Sequence, residues 1–255
     1  MRRFLVFLAA IVVVAAACGD TAPGQGTSVS PGAPSQSRNE VATPSGSEIP
    51  TPSVEPSPPP AAIPEGVPAA YDEDVPARDL PVDELIPPGD EVTGVDRAST
   101  GDGEAVVIAF ATPGPDPFRQ ARGFVVWRRE PGGDPPWRAT FGLAHGKREG
   151  VLAIAVDATD LTDDRSDDAL IREETGGTGA CATYRVVDLA AGAQIWKRSV
   201  CDAQIQPNPD PIGLFEIARI YGPDDPHCCP SAIRERVLAW DGERFAVVSQ
   251  TTTPF

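Results

Sequence analysis

From residue 92 onward the chain breaks into short apolar, β-branched runs bounded by clusters of Gly, Pro and Asp, and this punctuation leaves little room for helices. The candidate strands are Ala105–Ala111, Gly123–Arg129, Trp137–Phe141, Val151–Val156 and Ala169–Glu173. They continue with Thr183–Leu189, Gln194–Val200, Phe215–Tyr221, Arg234–Trp240 and Phe245–Gln250. Few stretches hold helical spacing beyond two turns, and prolines interrupt most of those. The expected fold class is all-β, built from antiparallel meander units. Trp240-Asp241-Gly242-Glu243 marks a hairpin, since Asp-Gly suits the positive φ values of a type I′ turn.

The strands show a trace of repetition. An acidic turn (Gly101-Asp102-Gly103-Glu104) precedes Ala105–Ile108, then Phe124–Trp127 and Trp137–Thr140. A second acidic turn (Asp163–Asp167) precedes Asp168–Ile171, then Tyr184–Val187 and Ile195–Arg198. The offset is roughly 60 residues, which predicts two copies of a four-strand unit, with residues 214–250 as a shorter third. Three units are too few to close a propeller of about 4–8 blades, so an open repeat stack or a sandwich is expected.

Ahead of this domain the composition changes. More than half of the chain's 29 prolines lie between Pro23 and Pro88, amid Ser, Thr, Gly and Ala. Apolar residues are scattered singly there, so no face offsets the entropy of ordering. Residues 18–88 therefore read as a tether, and 89–255 as one domain with room for a sizeable core. The tether spans about 45 Å as a coil and several times that as polyproline II. Its acidic end, Glu65 to Asp90, reads as a solvated hinge before the domain.

The tether begins at Cys18. Met1-Arg2-Arg3 is followed by an apolar run from Phe4 to Ala17, too short for the roughly 20 residues of a membrane span, so residues 1–17 read as a signal peptide. Ala15-Ala16-Ala17-Cys18 resembles the lipobox of bacterial lipoproteins, in which the cysteine thiol carries a lipid. The resemblance implies an extracytoplasmic protein anchored to the outer face of the cell membrane through lipidated Cys18. Plain Ala-x-Ala cleavage that leaves a cysteine is the other reading, and it also places the mature chain outside the cytoplasm. The net charge of −16 argues against nucleic acid and against adhesion to anionic lipid headgroups, since both select basic patches.

Four motifs bear on chemistry. The segment Asp160–Ile171 resembles the calcium loops of FG-GAP repeats, with Asp160, Thr162, Asp164 and Asp168 at the ligand positions and Arg165 where that pattern has glycine. The resemblance implies calcium as a ligand; a polar hairpin loop is the simpler alternative. Cys181, Cys201, Cys228 and Cys229 make an even set in an oxidising compartment. Adjacent Cα atoms lie about 3.8 Å apart where disulfides prefer about 5.5 Å, and Pro230 biases Cys229 to extended backbone. The expectation is that Cys181 and Cys201 each pair with one member of Cys228-Cys229, giving two bridges. His227-Cys228-Cys229 also has the donor types of a soft-metal site, but lacks C-x-x-C spacing. Only His145 and His227 offer an imidazole base, and no nucleophile elbow, zincin or phosphate-loop motif accompanies them.

Tyr221–Ser231, with adjacent cysteines before Pro-Ser, is followed by the Trp240–Phe245 hairpin. This arrangement resembles the LppP/LprE family of cell-envelope lipoproteins. The resemblance implies a place, the envelope, and disulfide bonding at the Cys-Cys-Pro motif; it implies no reaction. The sequence as a whole reads as a lipid-tethered β domain that binds an envelope protein or glycan. An envelope hydrolase centred on His145 or a carboxylate pair is one alternative, and a calcium-stabilised adhesion or spacer module is another.

Overall fold

The computed structural model describes residues 63–176, 180–223, 225–226 and 228–255. Cys18, residues 19–62 and His227 lie outside the described residues. The described chain is built from strands: β1 (Ala70–Tyr71), β2 (Glu91–Thr100), β3 (Gly103–Ala111), β4 (Arg122–Arg129), β5 (Trp137–His145), β6 (Ala153–Thr159) and β7 (Asp168–Gly176). It continues with β8 (Cys181–Asp188), β9 (Ala193–Val200), β10 (Ala203–Pro209), β11 (Ile212–Ile220), β12 (Ala232–Trp240) and β13 (Phe245–Pro254). No helix among the described residues is long and apolar enough to cross a membrane.

Three antiparallel sheets follow one another along the chain. The first has the order β1-β5-β4-β3-β2, the second β6-β7-β8-β9 and the third β10-β11-β12-β13. The four-strand repeat expected from the sequence is thus present three times, and the third copy is full length. Its first strand, β10, escapes a pattern search because its alternation is short, Ala203-Gln204-Ile205-Gln206, and Pro207 and Pro209 follow as breakers. An edge strand tolerates such residues, since one side of its backbone has no ladder to complete.

Two cores separate the sheets. Between the first and second, Ala105, Val107, Ala109, Phe124 and Val126 meet Ile154, Ala169, Ile171 and Val187. Between the second and third, Leu170, Tyr184 and Val186 meet Ile205, Leu214, Leu238 and Phe245. Strands β3 and β4 carry buried residues on both faces, which explains their unbroken apolar runs: the first sheet is an inner layer. The edge strand β6 is bridged to β2 by Asp96, whose carboxylate accepts the Ala158 N–H at 2.8 Å.

The second face of the first sheet is covered by residues 63–88, which the sequence assigns to the tether. Ala77, Leu80, Leu85 and Ile86 are buried against Val106, Ile108, Phe110, Trp127 and Trp137. Both indole N–H groups donate to this strap, Trp127 to the Leu85 carbonyl (3.1 Å) and Trp137 to the Val75 carbonyl (2.9 Å). Arg129 reaches Asp74 at 2.6 Å and Glu104 at 2.9 Å. A Cβ on Gly142 would meet Pro64 Cδ at 2.5 Å, so the strap begins where β5 presents bare backbone. The domain therefore starts well before residue 89. The strap buries Ala77, Leu80, Leu85 and Ile86 at uneven intervals around short 3-10 turns at Ala77–Asp79 and Val82–Glu84, which is why composition alone reads the segment as tether.

Candidate functional site

His145 closes β5 at the rim of the first core. Glu173 and Arg185 share the β7 and β8 face that turns toward the first sheet, with Ile171 and Val187 below them. Glu173 is almost fully buried, and three contacts hold it: His145 Nε2 at 3.0 Å, Arg185 Nε at 2.8 Å and Arg185 Nη2 at 3.1 Å. His145 Nδ1 faces Glu149 Oε2 at 3.0 Å, and Glu149 also accepts the Gly146 N–H. The Glu173 hydrogen bond, helped by Glu149 and opposed by burial, holds the His145 pKa above its ordinary value. Burial pushes Glu173 up, but His145 and Arg185 outweigh it and leave the carboxyl below its ordinary value. An imidazolium donating from both nitrogens has no lone pair to offer as a base. The three clefts described below are not lined by His145. The cluster ties the first sheet to the second through charge-assisted contacts.

A second charged cluster lies between the second and third sheets. Glu216 on β11 is 1 % exposed and faces Arg198 of β9 at 2.6 Å, Arg234 of β12 at 3.5 Å and Arg236 of β12 at 3.6 Å. Arg236 Nε donates to Gln250 at 2.7 Å. Three guanidinium groups around one carboxylate are a local excess of positive charge in an acidic chain. Burial, Arg234 and Arg198 together lower the Arg236 pKa against the opposing pull of Glu216. The sequence signal was available: Glu216 stands alone in the apolar run Leu214-Phe215-Glu216-Ile217-Ala218.

The loop between β6 and β7 brings together part of the set expected to bind calcium. Thr162 Oγ1 and the Leu161 N–H donate to Asp168 at 3.1 and 3.0 Å. Asp160 instead accepts the N–H groups of Asp163 and Arg165, and Asp164 accepts that of Ser166. Arg165 adopts φ 74°, the left-handed conformation that glycine would take at this position. No group of three or more His, Cys, Asp or Glu placed to hold a metal ion occurs among the described residues. Asp168 is buried beside neutral donors, so desolvation raises its pKa to about 7.

The cysteines are arranged otherwise than expected. Cys181 and Cys201 form a disulfide with each other. The β8–β9 register sets Ala182 opposite Val200, which places Cys181 across from Cys201 at the open end of the hairpin. The expected bridges from Cys181 and Cys201 to Cys228-Cys229 are therefore not formed, and the disulfide staples one sheet instead of joining two units. Cys228 and Cys229 are exposed on the β11–β12 loop, their sulfurs 2.9 Å apart. The Trp240 hairpin is present, but its loop runs Asp241–Arg244. The Asp241 carboxylate accepts the N–H groups of Glu243 and Arg244, in place of a two-residue turn.

A groove of about 550 Å³ opens between the far end of the β7–β8 hairpin and strands β10–β12. Arg172, Glu174, Tyr184, Gln204, Ile217 and Arg219 line it, and Cys181 forms part of its wall. Arg172 and Tyr184 also line a second cleft of about 280 Å³, which continues past Gln206 and Pro207. A third, of about 260 Å³, adjoins the disulfide. No protein-family model, curated protein or solved structure matches this chain.

Proposed function

We propose that this chain is a cell-envelope binding module, held at the outer face of the membrane by lipidated Cys18, whose ligand lies along β10. One observation carries the reading: two clefts that share Arg172 and Tyr184 pass along β10, the first past Gln204 and the second past Gln206. Arginine, glutamine, glutamate and tyrosine around an elongated opening suit a polymer rich in hydroxyl or carbonyl groups, an envelope glycan or an extended protein segment. Both nitrogens of His145 are engaged, by Glu149 and by Glu173, which supports binding along the groove over a His145-centred hydrolase.

A photocrosslinking amino acid at Gln204 or Gln206, in the full-length chain in living cells, tests this. Discrete adducts are expected from either position and none from Phe118, which is exposed on the β3–β4 connection. Equal yields from all three positions, or no adduct from the groove, would refute the proposal. The anchor has its own test: Cys18→Ser should move the protein from the membrane fraction to the soluble extracytoplasmic fraction.

A further inference from the structure

We infer that Cys228 and Cys229 close on each other as a vicinal disulfide, making the β11–β12 loop a thiol-redox site. In an extended strand, successive side chains point to opposite faces, and two neighbouring sulfurs stay apart. This loop is a turn. The Cys229 N–H donates to the Pro226 carbonyl at 2.9 Å. Asp225 accepts the Gly222 N–H at 2.6 Å and the Ser231 hydroxyl, tying the two ends of the loop together. The Phe255 N–H donates to the Ser231 carbonyl and fixes the far end to the last residue of the chain. Within that frame the sulfurs lie 2.9 Å apart, nearer than non-bonded sulfur atoms normally approach and within about 1 Å of bonding distance. Both residues face solvent, where an oxidant can reach them.

The co-reactant is a small or protein disulfide, the oxidant of extracytoplasmic compartments. One thiolate of the pair attacks it, forming a mixed disulfide and expelling a first thiolate. The neighbouring thiolate then attacks the cysteine sulfur of that bond, and the second thiolate leaves. The pair gives up two electrons and two protons, the S–S bond forms, and the oxidant departs as two thiols. A sulfur already in contact with its partner outcompetes any external thiol for the second step, because its effective concentration is far higher. The loop joins the strands that carry Arg219 and Ile233, so the redox site stands at one end of the groove.

The test is mass spectrometry of the full-length chain equilibrated with oxidised glutathione, alkylated without reduction and cut with trypsin. Arg219 and Arg234 bound a peptide, Ile220–Arg234, whose only cysteines are the pair. The expected result is that peptide about 2 Da lighter than its dithiol, unalkylated and joined to nothing else. In Cys229→Ser the ring cannot close, and Cys228 should carry glutathione. The bridged Cys181–Cys201 peptides report that the rest of the chain is oxidised and folded. Two alkylated thiols in the wild-type peptide, a glutathione adduct there, or linkage to a second chain would each overturn the inference.

Discussion

Glu216 and Asp168 are both buried carboxylates, and their surroundings give them opposite consequences. Glu216 neutralises part of a three-arginine cluster, so Glu216→Gln strands those guanidinium groups against one another. A loss of about 3 kcal/mol in urea unfolding is expected, and a change within error would show that the cluster carries little stability. Asp168 is held by an N–H and a hydroxyl, with the carboxylates of Asp188 and Asp164 nearby, and burial raises its pKa to about 7, above the ordinary carboxylate value. A raised folded pKa means that its contribution is complete at low pH and is lost as pH rises toward 7. His145, also raised, loses its contribution in the same direction as the imidazolium deprotonates. The lowered carboxyls Glu149 and Glu173 act oppositely, weakening the fold only as pH falls through their own range. The melting temperature is therefore expected to fall between pH 5 and pH 8. Asp168→Asn should flatten that fall and stabilise the protein at pH 8 by on the order of 3 kcal/mol. A variant as pH-sensitive as wild type would remove Asp168 as the cause. Asp168 was visible in the sequence as part of an acidic loop; its isolation from cations was not, because that depends on which side chains the second core leaves nearby.

At the scale of elements, the hairpin β8–β9 and the strap 63–88 carry the clearest consequences. The Cys181–Cys201 bridge closes a sequence separation of 20 residues, and Cys181→Ser/Cys201→Ser is expected to lose about 3 kcal/mol. If chemical denaturation shows no loss, the bridge restrains nothing the hairpin register does not already fix. The strap predicts a domain boundary. A chain beginning at residue 63 should melt with the full-length chain, whereas one beginning at residue 89 uncovers Ile108, Phe110, Trp127 and Trp137 and should aggregate. Soluble, cooperatively folded protein from the shorter chain would refute the capping role. The inner strands were legible because a strand buried on both faces needs an unbroken apolar run, as in Ala105–Ala111. The strap and β10 were hidden for a shared reason. Each buries only a few isolated residues, Ala77, Leu80, Leu85 and Ile86 in the strap and Ile205 in β10, and proline, the strongest breaker signal, is acceptable at a strap or an edge.

Across the described residues, three meander units stack in sequence order, and each sheet shields the next. The strap takes the place of a neighbour at the first sheet, as a terminal cap does in a repeat array. Local information set what is local: the all-β class, the approximate strand positions, the repeat of four strands and the turn at Asp241. These follow from the period of side chains along a strand and the conformational preferences of Gly, Pro and Asp, which operate within a few residues. The disulfide partner of Cys181, the boundary of the domain, the groove along β10 and the contact between the sulfurs of Cys228 and Cys229 were decided only in three dimensions. Each depends on strand register or on the packing of one sheet against another, and such contacts join residues that the order of the chain keeps apart or that a turn swings to the same side.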